Sequence, residues 1–159
     1  MDIVIYPADI LRKKASQVET FDSSLNTMVQ DMIQTMQGAN GVGLAAPQVG
    51  LSLRLFVVQV PEEDVRVFIN PSILFRSQKQ IVMEEGCLSI PFVCASITRP
   101  AKLGVRASHI DGSSFFLEAE AWLARVILHE YDHLEGKLFI DYLTEEERNE
   151  ILKTYQGVF

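Results

Sequence analysis

The stretch Ala119-Glu120-Ala121-Trp122-Leu123-Ala124-Arg125-Val126-Ile127-Leu128-His129-Glu130-Tyr131-Asp132-His133-Leu134-Glu135-Gly136 decides how this chain folds. Ala121, Trp122, Leu123, Ala124, Val126, Ile127 and Leu128 leave almost no polar face, so a helix over 119–135, ended by Gly136, has to be buried on most sides. A buried helix needs other elements around it. Upstream, short β-type runs at 53–60, 65–70, 80–84, 102–108 and 114–118 alternate with turn residues such as Asp111-Gly112. Short strands on short turns predict antiparallel pairing, not βαβ crossovers. The expected fold class is therefore α+β, with antiparallel β-sheets surrounding a central buried helix.

Further out, Leu25, Met28, Val29, Met32, Ile33 and Met36 form one apolar stripe and predict a helix over 23–37, with Gly38 to end it. Gly41-Val42-Gly43-Leu44-Ala45-Ala46-Pro47-Gln48-Val49-Gly50 reads as a glycine-punctuated loop or irregular edge segment. Pro7 to Arg12 looks like a turn and a short helical piece. Thr144 with Glu147 is a capping-box pair that starts a C-terminal helix. No repeat or linker divides the 159 residues, which predicts a single domain over 1–159.

Composition narrows the function classes. A formal net charge of −7 argues against a general nucleic-acid binder. No window approaches eighteen uninterrupted apolar residues, so no membrane span is expected. Two cysteines, Cys87 and Cys94, make no disulfide framework, and a reducing cytoplasm is the expected compartment.

The buried helix also carries the chemistry. His129 and His133 stand at i and i+4, so both imidazoles reach one metal ion, and Glu130 can accept a proton from a water activated there. Three ionisable groups on an otherwise apolar helix are costly unless paired or metal-bound. A catalytic metal wants a third protein ligand and an open position. No histidine follows His133, and the glutamates after Thr144 read as a solvated helix end. Upstream, Cys87 in Glu85-Gly86-Cys87-Leu88-Ser89 offers a thiolate. By ligand softness, two imidazoles and a thiolate suit zinc. Asp132 needs a partner on so buried a helix, with Arg99 and Arg106 as candidates. Cys94 and His109 keep ordinary structural readings.

Three segments together resemble peptide deformylase: residues 41–48, residues 85–89 and His129-Glu130-Tyr131-Asp132-His133. The likeness runs from about Ile3 through Asp141. It implies removal of the formyl group from N-formylmethionine at the start of new polypeptides, with N-formylmethionyl nascent peptides as partners. It also implies Cys87, His129 and His133 as metal ligands and Glu130 as general base, then general acid. Gln48 and the backbone N–H of Leu88 would donate to the formyl oxygen, and Gly43 would lie against the substrate backbone. A second reading of Gln48 is a turn residue bonding its own loop. Fe2+ is the implied native ion, with Zn2+, Ni2+ or Co2+ able to occupy the same site. Val126, Arg125 and Trp122, on the ligand side of the helix, should edge the methionine pocket with Val42, and Met83 is a further candidate.

Some positions depart from the family's pattern. Leu128 stands where glutamine is frequent, Ala121-Trp122 where Gly-Leu is usual, and Cys94 where some members have an arginine that contacts the substrate chain. The short terminal segment is acidic at its start, which gives little support to the ribosome docking, by a basic C-terminal helix, seen in some members. The terminal helix and the lack of a large insertion resemble the type I branch. Two other readings compete: a metallopeptidase on the same helix, disfavoured by the missing downstream ligand, and an inactive domain that keeps its metal for structure, disfavoured by Glu130 and Gln48.

Overall fold

The computed structural model describes residues 1–158. Seven strands are β1 (Gly43–Ala45), β2 (Leu55–Val58), β3 (Arg66–Arg76), β4 (Gln80–Cys87), β5 (Ile90–Pro100), β6 (Lys102–Ser108) and β7 (Ser114–Glu120). Three α-helices are α1 (Ser23–Gly38), α2 (Ala121–Leu134) and α3 (Glu145–Val158). The strands pair antiparallel in a five-stranded sheet of order β1-β2-β3-β6-β7 and a separate β4–β5 hairpin. The α+β class with antiparallel sheets and a C-terminal helix is thus the observed architecture.

The alternation of side chains along a strand explains where the helices sit. In β2, Phe56 and Val58 pack with Ala124, Ile127 and Leu128 of α2, while Leu55 and Val57 pack with Val29, Met32 and Met36 of α1. The two helices therefore cover opposite faces of the sheet, and β2 is buried throughout. The Asp22 carboxylate caps α1 by accepting from the Leu25 N–H at 3.1 Å. A third cluster joins Ile90 and Ile97 of the hairpin to Leu11, Phe139, Ile140 and Tyr155 of α3. The α2 helix is held between the sheet on one side and the hairpin on the other.

The stretch 41–50 takes the second of its two readings, an irregular edge segment: Gly43–Ala45 is an edge strand paired with β2, followed by a 3-10 turn at Ala46–Val49. The strand β5 was not anticipated at all. Its sequence opens on Ile90-Pro91 and its register slips after Gly86, where Phe92 takes a left-handed backbone at φ 71°. The buried helix begins two residues later than predicted, because Ala119 and Glu120 complete β7.

Candidate metal centre

The hairpin and α2 meet at three side chains. Cys87 ends β4, and His129 and His133 stand one turn apart on α2. One ligand atom from each lies within 4.8 Å of the others, with Cys87 Sγ 3.4 Å from His133 Nε2. The donor set is one thiol and two imidazoles, which suits a borderline-soft divalent ion. The tautomer of His129 is set from outside, since its Nδ1 lies 2.9 Å from Glu85 Oε1, which leaves Nε2 for a ligand. Both histidines are buried. These residues fit a bound divalent cation.

Glu130 lies beside them and is 4% exposed. Its Oε1 is buried with no hydrogen-bond partner, and burial pushes its carboxyl up to about 7. Its Oε2 faces Gly43: a Cβ at that position would stand 2.5 Å from it. The glycine is therefore required by Glu130 itself, on top of any contact with substrate.

Gln48 makes the local turn bond of its second reading. Its Oε1 accepts from the Ala45 N–H at 2.9 Å, which is the local turn bond. That bond fixes the amide so that Nε2 points the other way, 3.5 Å from Cys87 Sγ and 3.2 Å from Ser89 Oγ. Leu88 lies in the turn between β4 and β5, outside the paired register, and borders the same cavity.

Around these groups runs a network of buried charges that sequence reading resolved only at Asp132. Arg99 donates twice to Glu85, from Nε at 2.6 Å and from a terminal nitrogen at 2.9 Å, and once to Asp132 at 2.8 Å. Arg99, not Arg106, is thus the partner of Asp132. The Tyr142 hydroxyl donates to the same Asp132 oxygen at 2.7 Å. Arg125 donates to Glu85 at 2.7 Å and to the carbonyls of Ile97 and Ile81. Despite its burial, Glu85 is held well below the usual carboxylate range by its hydrogen bonds from His129 and Arg99. The available signal was Glu85 itself: an acid two residues before a ligand cysteine, on a strand with alternating burial, turns inward.

A cavity of about 550 Å³ opens over the site. Val42, Gly43, Trp122, Arg125 and Val126 line it, and Met83 does not. Trp122 is 44% exposed and forms its rim. The Arg125 guanidinium is committed to Glu85 and the hairpin carbonyls.

The profile of the polypeptide deformylase family matches residues 1–149. The peptide deformylase of Clostridium botulinum is 51% identical over 141 residues, covering 89% of this chain and 95% of the relative. That of Borreliella burgdorferi is 46% identical, over 98% of this chain and 94% of the relative. The crystal structure of a peptide deformylase from Legionella pneumophila superposes with a TM-score of 0.94 at 40% identity, covering 99% of this chain and 94% of that one.

Proposed function

Because this chain belongs to the peptide deformylase family, and so is a metal-dependent hydrolase that removes the formyl group from N-terminal N-formylmethionine, we propose a role for each residue of its site. Cys87, His129 and His133 hold the ion, and the whole chain serves as one catalytic domain. When bound, the ion supplies Lewis acidity, bringing the pKa of water in the site towards ~7.

Glu130 accepts a proton from the attacking water and returns it to the departing amine nitrogen. The C–N bond of the formamide breaks, formate leaves, and methionine is left with a free amino terminus. The Gln48 side-chain amide and the Leu88 N–H donate to the formyl oxygen as it gains negative charge, commonly worth about 3 kcal/mol each in the transition state. Gly43 lies against the substrate backbone. Val42, Trp122 and Val126 edge the methionine pocket, where they border the cavity. Arg125 contributes by fixing Glu85.

The observation that carries this reading is the clustering of Cys87, His129 and His133, with the unpartnered Glu130 carboxylate lining the same cavity and the Gln48 amide nitrogen 3.5 Å from Cys87 Sγ. Among the divalent ions that suit this donor set, we assign ferrous iron. No helix among the described residues is long and apolar enough to cross a membrane, and we place the enzyme in the cytoplasm, acting on nascent peptides. Contact with the ribosome is proposed as a transient encounter, since Glu145, Glu146 and Glu147 outweigh Arg148 at the start of α3 and leave it a net negative charge towards ribosomal RNA.

Metal analysis of anaerobically purified protein, with formate release from formyl-Met-Ala before and after air exposure, tests these assignments. The expected result is stoichiometric iron, activity lost in air as the thiolate site oxidises, and release abolished in Glu130→Ala. Air-stable activity with zinc overturns the iron assignment. Release that is equally low in wild type and Glu130→Ala overturns the catalytic one.

A further inference from the structure

We propose that the N-terminal segment at Val4 and Tyr6 is a brace that positions Gln48, so that its backbone N–H groups act on the reaction without touching substrate. The inference rests on the deformylase reading, in which Gln48 donates to the formyl oxygen, and extends it to residues outside the site.

Gln48 and Ser89 belong to separate pieces of the chain. Gln48 lies in the 3-10 turn after β1, and Ser89 in the turn between β4 and β5. Their side chains meet where Gln48 Nε2 lies 3.2 Å from Ser89 Oγ. Their backbone carbonyls are tied by a third piece. The Val4 N–H donates to the Gln48 carbonyl at 2.7 Å, and the Tyr6 N–H donates to the Ser89 carbonyl at 2.8 Å. Side-chain bond, backbone bonds and the chain from Val4 to Tyr6 close a ring. Gln48 and Ser89 are both buried, so a carbonyl that lost its donor there would be left costly and unpaired.

The direction of the Gln48 amide follows from its backbone. Its Oε1 is spent on the Ala45 N–H, so Nε2 moves with the turn. The local bonds of that turn, from Gly50 to Pro47 and from Leu51 to Ala46, leave the Gln48 carbonyl to Val4. The brace is itself anchored. Val4 and Tyr6 pack against the cluster that contains Ile90, Phe139 and Tyr155. The Tyr155 hydroxyl of α3 donates to the Tyr6 carbonyl, and the two rings meet edge to face with centroids 6.0 Å apart. The Arg12 guanidinium, paired with Asp141 at 2.7 Å, lies over the Tyr6 ring.

The test is a double-mutant cycle read by formate release from formyl-Met-Ala. Val4→Pro deletes the N–H. It should lower kcat about tenfold, less than the 100-fold or more that loss of a whole oxyanion donor commonly costs. KM and bound metal should stay unchanged. Val4→Ala keeps the N–H and should lose far less. In a Gln48→Ala background, Val4→Pro should cost almost nothing further, because two changes acting through one group are not additive. A second loss of similar size in that background, or equal losses in Val4→Pro and Val4→Ala, overturns the inference. Tyr155→Phe reads the same brace without a proline, and hydrogen exchange at the Val4 and Tyr6 amides should quicken while kcat falls. Unchanged exchange, or faster exchange at wild-type kcat, overturns the inference even where Val4→Pro fails to fold. Full kcat in Gln48→Ala overturns the donor role of Gln48 and the inference with it. No turnover by the wild type overturns the deformylase reading itself.

Discussion

Glu130 and its neighbours show how little room the chemistry leaves. Gly43 is a strand residue whose missing side chain is filled by the Glu130 carboxylate, with Cδ of Glu130 only 2.9 Å from where a Cβ would stand. Real Cβ contacts are not that short, so Gly43→Ala has to displace the carboxylate. Misplacing a catalytic group by about 1 Å commonly costs around 100-fold in rate. The expected outcome for Gly43→Ala is a fall in kcat of about that size with metal content unchanged, read from formate release beside elemental analysis. A fall in bound metal instead would mean that the ligands, not Glu130, had moved. That Cys87, His129 and His133 come together was readable in advance, because the two histidines share one helical turn and Cys87 sits in a short distinctive segment. How Glu85 reaches His129 was not, because 44 residues separate them and only the pairing of β4 with β5 brings Arg99 between Glu85 and Asp132. No local pattern encodes that meeting.

At the scale of elements, the start of α2 is the point of tension. The chain passes from β7 into the helix through Ala121, held at φ 56° in the left-handed region. A residue with a Cβ is disfavoured there by about 1 kcal/mol, and glycine is not. Ala121→Gly should therefore raise stability by about that amount, seen as a higher urea midpoint at unchanged slope. The substitution lies one residue from Trp122 at the cavity rim, so formyl-Met turnover is a useful companion measurement. Elements with a clear period were legible: α1 was expected at 23–37 and runs Ser23–Gly38, and β6 matches its expected span. β1 and β5 were not. β1 has three residues, all buried, and so shows no alternation. β5 contains Pro91, the left-handed Phe92 and mixed polar positions, so its pairing with β4 rests on the partner strand more than on its own sequence. The element that delivers Cys87 to the histidines was thus only half visible before folding.

Across the whole molecule, the ligands come from two bodies that share no sheet. Cys87 belongs to the β4–β5 hairpin, and His129 and His133 to the helix packed on the five-stranded sheet. An ion held between them binds only the folded arrangement, and its loss removes a tie between the two. At an ion concentration about 100-fold above the dissociation constant, the linkage is worth about 2.7 kcal/mol. For a chain of this size that is a fall in Tm of roughly 5–10 °C on chelation. Differential scanning calorimetry before and after chelator treatment measures it, and an unchanged Tm would show that the ion adds nothing to the fold. The two large sheet-facing clusters contain none of the ligands, so the metal-free protein should still melt cooperatively. The buried charges carry a lesson for anyone transplanting this centre to another scaffold. Copying Cys87, His129, His133 and Glu130 alone would leave one imidazole free to turn its ring and one acid without its neighbours. The smallest portable unit also contains Glu85, Arg99, Arg125 and Asp132, drawn from two strands and a helix, so the graft must carry the hairpin as well as the helix.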